Sequence, residues 1–192
     1  RAPRELRAAN PAEARAAAEE INATVVVKVD GPAHKEKYGG VILGCTDPDR
    51  AAAAAEQIGA PVLVCEEIRG GTEVLCGLVR DPLYGPVVVV GVGGSWAEAF
   101  GDTARAALGP ISQADAERLV RSVKPLEQRL AESEVTIVAE TLVALGCVAH
   151  DFPRVSEIDV NPLVIRDGTG VALDGLIVLS DYRPKDSPWI SP

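Results

Sequence analysis

The length, composition and charge of this chain favour a folded domain over a disordered, membrane-spanning or nucleic-acid-binding one. Its 192 residues suit one domain or two small lobes, and a hydrophobic content of 47% is enough for a core. A net charge of -9 would repel nucleic acid, and we see neither an apolar run of roughly 20 residues nor an amino-terminal leader, so a cytoplasmic location is expected.

The first half of the chain combines helix and strand signals. Asn10 predicts the start of an alanine-rich helix that ends near Asn22. Asp47 predicts the start of a second such helix, which stops at Gly59. Three apolar runs predict strands around these helices: residues 24–29, 41–43 and 62–65.

The second half begins with a hairpin and continues with helices. Strands are predicted at residues 73–80 and 86–92, with a short turn between them. Helices are predicted at 112–123 and 133–149, and the alanine-rich stretch 104–107 is interpreted as helix-forming. This order of elements favours an α+β fold over an alternating parallel sheet.

A glycine-rich turn after residue 65 predicts a boundary between two α+β lobes. We expect a first lobe at residues 1–65, a second lobe at 66–180 and an extended, proline-containing tail at 181–192. The chain contains no methionine, which indicates a piece of a longer or trimmed polypeptide. The four cysteines lack metal-binding spacing and are interpreted as reduced core thiols.

Four polar side chains near the end of the chain could hold a divalent cation. Glu157, Asp159 and Asn161 alternate on a predicted strand, so they share one face, and a turn at 167–170 should bring Asp174 alongside on the next strand. Magnesium is usually held by one or two carboxylates together with substrate phosphates. The pattern therefore favours a magnesium–nucleotide site, although a solvated strand edge with local turn hydrogen bonds would show the same spacing.

Lys28 lies inside an apolar strand, where a charged group must find a partner or leave the core. A bound phosphate would supply that partner. An edge strand whose lysine faces water would explain the residue equally well. The residues alone leave both interpretations open.

A series of short motifs then follows one order along roughly residues 16–179. They are Val27-Lys28, Ala33-His34-Lys35, Gly39-Gly40-Val41, Glu66, Glu73, Arg80-Asp81-Pro82, Gly85-Pro86, Gly93-Gly94 with Glu98, and Glu157 to Leu163 with Asp174. Together they resemble the ATP-grasp domain of NDP-forming acyl-CoA synthetases. That family includes ADP-forming acetyl-CoA synthetase and the beta subunit of succinyl-CoA synthetase.

The resemblance implies an ATP-grasp fold, in which two α+β lobes clasp a nucleotide, and it implies roles for single residues. Lys28 matches a lysine that contacts nucleotide phosphate, and Glu66 matches an acid near adenine and ribose. His34 matches a histidine implicated in passing phosphate between acyl phosphate and nucleotide. Other nucleotide-binding candidates are Gly39, Gly40 and Glu73, and the metal candidates are Asn161, Asp174 and, from the strand pattern, Asp159.

The implied activity is that of an acid–thiol ligase, an NDP-forming acyl-CoA synthetase that uses ATP or ADP with Mg²⁺. This chain would carry out phosphoryl transfer between a phosphohistidine and ADP. In the family the CoA site belongs to a separate subunit or domain. We therefore expect a CoA-binding partner, in a hetero-oligomer or a longer chain, and neither a nucleic acid nor a membrane.

Two departures from the family pattern leave other functions open. Relatives carry an arginine where Ala107 stands here, and Arg105 lies two positions early. The Ser-Asp pair that follows the His-Lys pair is replaced by Glu36-Lys37. A catalytically inactive nucleotide-sensing or assembly module is therefore a second hypothesis, and an amide-forming ATP-grasp ligase is a weaker third.

Overall fold

The computed structural model describes residues 1–30, 40–59, 61–94 and 104–180. The chain divides into two compact units, Ala2–Arg69 and a second unit that begins at Gly70 and also contains Arg1. The boundary predicted between residues 65 and 66 falls at the end of a strand, a few residues before the first unit ends. The predicted tail at 181–192 lies outside the described residues.

The described part of the first unit consists of an antiparallel sheet of four strands and two helices. Its elements are β1 (Glu5–Ala8), α1 (Pro11–Ile21), β2 (Val25–Val29), β3 (Val41–Cys45), α2 (Pro48–Ile58) and β4 (Val62–Glu66). The strands lie in the order β1-β4-β2-β3, so β2 and β4 are inner strands. The sequence predicted both helices and every strand of this sheet except β1.

Both helices of the first unit are capped as the sequence predicts. The side chain of Asn10 accepts a hydrogen bond from Glu13 N at 3.0 Å, and the side chain of Asp47 accepts one from Arg50 N at 2.9 Å. At the other end of α1, Asn22 adopts the left-handed conformation with φ 53°. These contacts satisfy backbone groups that a helix end leaves without intrahelical partners.

Alternation along the strands gives the first sheet two different faces. Val25 and Val27 are fully buried against the alanines of α1 and α2. Lys28, next along β2, lies on the opposite face. Glu5 of β1 lies on that face too, since its neighbour Leu6 packs with the helices. We call the face that carries Lys28 and Glu5 the outer face of the first sheet.

Among its described residues, the second unit consists of a larger antiparallel sheet and three helices. Its strands are β5 (Thr72–Asp81), β6 (Gly85–Val92), β7 (Arg105–Leu108), β8 (Val155–Arg166), β9 (Thr169–Ala172) and β10 (Gly175–Leu179). Its helices are α3 (Gln113–Ser122), α4 (Lys124–Glu127) and α5 (Glu132–Asp151). The strand order is β10-β8-β5-β6-β7, and β9 also pairs with β8. β8 therefore pairs with three other strands, β5, β9 and β10.

The helix α5 packs against the second sheet and supplies much of its core. Its buried residues are Val135, Val138, Ala139, Leu142, Leu145, Gly146 and Ala149. They contact β5 and β6, whose inward valines are also buried. By length and composition alone α5 could cross a membrane, so the expectation that no segment reaches that length is wrong for this helix. Its packed face is typical of a core helix.

Two other sequence-based predictions need correction. The alanine-rich stretch interpreted as helix-forming lies mostly in β7, where Ala107 pairs with Val88 of β6. Pairing along the sheet edge has overridden a local helix preference. Cys147, predicted to be a core thiol, is exposed on α5, whereas the other three cysteines are buried.

The Arg80-Asp81 motif has structural roles at the end of β5. The Arg80 guanidinium donates hydrogen bonds to the carbonyls of Val155 at 3.1 Å and Ala149 at 2.7 Å, which ties the end of α5 to the start of β8. The Asp81 carboxylate accepts hydrogen bonds from the backbone amides of the following turn. The hydrogen bonds of Asp81 fix the turn of the hairpin between β5 and β6.

Candidate nucleotide and metal site

A bulge in β8 positions Asn161. On the neighbouring strand β5, Val160 pairs with Cys76 and Leu163 pairs with Val74, so Asn161 and the following proline oppose a single residue. A bulge of this kind re-aims a side chain out of the regular alternation of a strand. Here the Asn161 Oδ1 atom accepts a hydrogen bond from Gly94 N at 2.9 Å.

Gly94 brings Asn161 together with Glu73. The Gly94 backbone is left-handed with φ 59°, and a Cβ placed there would overlap the Glu73 carboxylate. Gly93 N donates to the Glu73 carbonyl at 3.0 Å, which holds the two glycines close to β5. The Gly93-Gly94 pair thus serves close packing around Glu73 and Asn161.

Glu73 contains an oxygen without a hydrogen-bond donor. Its Oε2 atom is buried and has no hydrogen-bond partner among the residues that the structure describes. Buried polar atoms are nearly always paired, so an orphaned carboxylate oxygen indicates a missing donor or cation. Glu73 was a nucleotide-binding candidate from the sequence, and this orphaned atom is consistent with that role.

Asp174 lies beside Asn161, but it is not on a strand. β9 pairs with the second half of β8 and β10 with the first half, so Leu173 and Asp174 bridge the two opposite the bulge. Asn161 N donates to the Asp174 carbonyl at 3.3 Å. The prediction that Asp174 returns alongside Asn161 is confirmed. The prediction that Asp174 occupies the next strand is wrong, because pairing to β8 is interrupted where β8 bulges.

Asp159 shares an acidic environment with two other carboxylates. Burial raises the pKa of Asp159, and the negative charges of Glu157 and Asp174 raise this pKa further. Bringing these acids together costs free energy that a cation would offset. The site is therefore electrostatically suited to a positive ion.

The donor set fits magnesium held partly by a nucleotide. Asn161, Asp174 and Asp159 offer one amide and two carboxylate oxygens, which are the donor types that Mg²⁺ prefers. Within the described ranges, no group of three His, Cys, Asp or Glu side chains could hold a metal ion. Phosphate oxygens and water would therefore have to complete the coordination, as is common for Mg²⁺.

Lys28 lies on the inner strand β2 and has found an acidic partner. Its Nζ atom is 3.0 Å from Glu5 Oε2, and the Cys65 thiol donates to the same oxygen at 3.0 Å. Burial lowers the pKa of Lys28, but Cys65 and Glu5 raise it by more, so the net pKa lies above its ordinary value. The interpretation of an edge-strand lysine is wrong, since β2 has a neighbour on each side. Sequence reasoning missed Glu5, because it missed β1.

Two neighbouring acids, Glu66 at the end of β4 and Glu67 after it, both accept hydrogen bonds from backbone amides. Glu66 N donates to the Arg4 carbonyl at 2.8 Å, and Glu66 Oε2 accepts from Arg4 N at 3.3 Å. The next residue, Glu67, was not singled out from the sequence, yet its side chain is only 9% exposed. It accepts hydrogen bonds from Gly44 N at 3.2 Å and from the Arg69 guanidinium at 2.9 Å. The only feature of the sequence that could have pointed to Glu67 is its position next to Glu66.

The remaining candidates belong to the segment around residue 34. Gly40 is buried, and its carbonyl accepts a hydrogen bond from Val29 N at 2.8 Å, directly after Lys28. His34 and Gly39 lie outside the described residues, so their roles stay predictions. The described candidates thus form two groups, Lys28 with Glu5 in the first unit and the oxygen donors around Asn161 in the second.

Two antiparallel sheets packed with helices place the chain in the α+β class, as predicted. A family model described as an ATP-grasp domain matches residues 1–179, and the chain belongs to the ATP-grasp family. The fold is the ATP-grasp fold that the order of motifs indicated.

Two similar proteins are named as an ADP-forming ligase or its subunit. The chain is 30% identical over 192 residues to the ADP-forming acetate–CoA ligase I of Archaeoglobus fulgidus, covering 91% of this chain and 28% of that protein. It is 30% identical over 179 residues to the beta subunit of ADP-forming acetate–CoA ligase I of Pyrococcus furiosus, covering 83% and 77%. The chain therefore spans little more than a quarter of the first relative. The alternative of an inactive module finds no support in these names.

Solved structures of acetyl-coenzyme A synthetase 1 from Ca. Korarchaeum cryptofilum share the fold. One, in complex with coenzyme A, Ca-AMPCP and HgCl+, gives a TM-score of 0.84 at 25% identity and covers 93% of this chain and 86% of that one. Another, with coenzyme A and Mg-AMPPCP, has its phosphohistidine segment pointing towards the nucleotide binding site. It gives a TM-score of 0.80 at 27% identity, covering 93% and 85%.

Proposed function

We propose that this chain is the nucleotide-binding domain or subunit of an ADP-forming acyl-CoA synthetase, an acid–thiol ligase, and that it binds ATP or ADP with Mg²⁺. The observation that carries the proposal is the oxygen-rich group in the second unit. It joins Asn161, Asp174 and Asp159 at the bulge of β8, with the orphaned oxygen of Glu73 beside Gly94.

Asn161 and Asp174 would be the principal metal ligands. The Asn161 Oδ1 atom accepts a hydrogen bond from Gly94 N through one lone pair and keeps a second lone pair for a cation. The Asp174 carboxylate is exposed, and one of its oxygens accepts only from the adjacent Gly175 N at 2.9 Å. When bound, Mg²⁺ would neutralise charge on the phosphate oxygens of the nucleotide.

Lys28 would supply the local positive charge that a polyphosphate needs on a chain of net charge -9. A unit charge pair about 4 Å apart is worth about 1 kcal/mol in water and about 4 kcal/mol at a surface-like dielectric constant near 20. The raised pKa keeps Lys28 protonated at neutral pH and above. His34 would carry the phosphoryl group, and transfer to ADP would depend mainly on positioning and charge neutralisation.

The partner would be a CoA-binding subunit or domain, in a hetero-oligomer or within a longer chain. The support is that one relative is named as a beta subunit while another is a single ligase more than three times as long as the matched region. We place the assembly in the cytoplasm, without a nucleic-acid or membrane partner. In either arrangement this domain would bind the nucleotide and transfer the phosphoryl group, and the partner would bind CoA.

Isothermal titration of the protein with ADP, with and without Mg²⁺, tests this proposal. We expect Mg²⁺-dependent binding that Asp174→Ala weakens by at least tenfold, because it removes an anionic ligand. Asp151→Ala, at the exposed end of α5, is the matched control and should bind like the wild type. Absence of binding by the wild type at millimolar ADP and Mg²⁺ would contradict the proposal.

The phosphoryl-transfer step needs a separate test. Reconstitution with a CoA-binding subunit of a related ligase, followed by mass spectrometry, should detect phosphate on His34 in the presence of acyl-CoA and phosphate. His34→Ala should abolish this signal. Nucleotide binding without phosphorylation would point to the non-catalytic module instead.

A further inference from the structure

Glu5 is the acidic partner of Lys28 on the outer face of the first sheet. One carboxylate oxygen of Glu5 lies 3.0 Å from Lys28 Nζ and 3.0 Å from the Cys65 thiol. Glu5 pairs directly with Cys65 across β1 and β4, so backbone register brings the acid to this place. The Lys28 side chain is 17% exposed and that of Glu5 39% exposed.

We propose that Glu5 is a positioning residue for Lys28. Its carboxylate fixes the ammonium group on the outer face of the first sheet, so that Lys28 meets a nucleotide phosphate already oriented. A lysine ammonium has three donors. Glu5 and Cys65 are the polar groups that engage Lys28 among the described residues, which leaves donor capacity for an anion. This inference rests on the nucleotide-binding function proposed above.

A half-buried lysine on this strand needs such a partner. Without a nearby negative charge, burial would favour the neutral amine or would drive the flexible side chain out towards water. The next charged residue along β1, Arg7, is paired with Asp30 and is therefore already balanced by another acid. Glu5 is thus the carboxylate that holds Lys28.

Glu5 has two opposing effects on phosphate binding, and they predict opposite changes in affinity when Glu5 is neutralised. A carboxylate beside Lys28 repels phosphate, so competition would make the nucleotide bind more tightly once Glu5 is neutral. Positioning has the reverse effect, because a released lysine loses side-chain entropy when it binds phosphate. Since more than a third of the Glu5 side chain is in solvent, its repulsion is screened, and we expect positioning to dominate.

The experiment compares the wild type with Glu5→Gln, Glu5→Asp and the control Glu19→Gln. Glu19 forms an exposed ion pair with Arg15 on α1, so its variant removes the same charge from the same unit. The first measurement is acetylation of Lys28 by acetic anhydride over a range of pH, followed by mass spectrometry, without nucleotide. The second is the dissociation constant for ADP with Mg²⁺.

We expect Glu5→Gln to shift the acetylation profile of Lys28 to lower pH and to weaken ADP binding by about tenfold. Glu5→Asp should recover most of the affinity, and Glu19→Gln should change neither measurement. An unchanged acetylation profile, or equal or tighter ADP binding by Glu5→Gln, would overturn the role of Glu5. A wild type that binds no ADP would remove the proposed function as well, so the two failures are distinguishable.

Discussion

The two units differ in whether their charged side chains have partners of opposite charge. In the first unit the cation Lys28 is already matched by Glu5, and Arg7 is matched by Asp30. In the second unit Asp159 lies among other acids, and the buried oxygen of Glu73 has no hydrogen-bond donor within the described ranges. Among the described residues, these two cations of the first unit thus have acidic partners, whereas the acids named in the second unit have no cation beside them.

This difference indicates which unit should respond more to a ligand. A site whose charges are balanced gains little from a new ion, but a site with mutual repulsion and an orphaned acceptor gains much. We therefore expect Mg²⁺ with nucleotide to stabilise the second unit more than the first. Hydrogen exchange of β8 compared with β2 would measure this contrast.

The largest expected effect comes from Gly94→Ala in the second unit. The new Cβ would overlap the Glu73 carboxylate, and φ is left-handed at this position. We expect the free energy of unfolding to fall by about 2–4 kcal/mol, as measured by urea denaturation. Gly168→Ala is the matched control, since its φ is 70° but nothing lies within 4 Å of the added atom. It should lose only about 1–2 kcal/mol, and equal losses would mean that Glu73 is not packed against Gly94.

A smaller effect, confined to binding, is expected for Glu73→Gln. Because the buried oxygen makes no hydrogen bond with the described part of the chain, its replacement should change the free energy of unfolding by less than about 1 kcal/mol. The affinity for ADP with Mg²⁺ should fall about tenfold if the carboxylate serves the ligand. Glu140→Gln on the exposed side of α5 should leave both quantities unchanged. A large loss of stability with intact binding would make Glu73 a structural residue.

The smallest effect is a pH-dependent one at Asp159. A carboxyl whose pKa is raised on folding adds stability below its unfolded pKa, and this stability is lost as pH rises through the folded pKa. Asp159→Asn should therefore raise Tm by about 1–3 °C at pH 7 and have no such effect near pH 3. Mg²⁺ with ADP should stabilise the wild type and reduce or reverse the difference. A variant that is less stable at pH 7 would show that the acids do not repel one another.

Much of this fold could be predicted because its signals are local. Asn10 and Asp47 cap helices where the sequence places caps, and the valine-rich runs form strands. The hairpin between β5 and β6 follows from its turn residues. For the metal candidates, alternation and the following turn were enough to bring Asp174 beside Asn161.

Features that depend on pairing between distant segments could not be predicted. β1 has only four residues, two of them charged, so its strand character depends on β4. Missing β1 meant missing Glu5 as the partner of Lys28. In β7 the alanines favour a helix locally, and only pairing with β6 makes them a strand. The contact between Glu73 and Gly94 likewise joins residues that no local pattern connects.

The bulge in β8 also has a consequence for how this region can evolve. β9 and β10 pair with the same edge of β8, on either side of the bulge. The pairing of both strands therefore fixes the length of the link formed by Leu173 and Asp174. Exchanging the side chain of Leu173 leaves that spacing intact. Inserting or deleting one residue there would move the acid away from Asn161, so we expect relatives to vary at the position of Leu173 while conserving the acid and the length of the link.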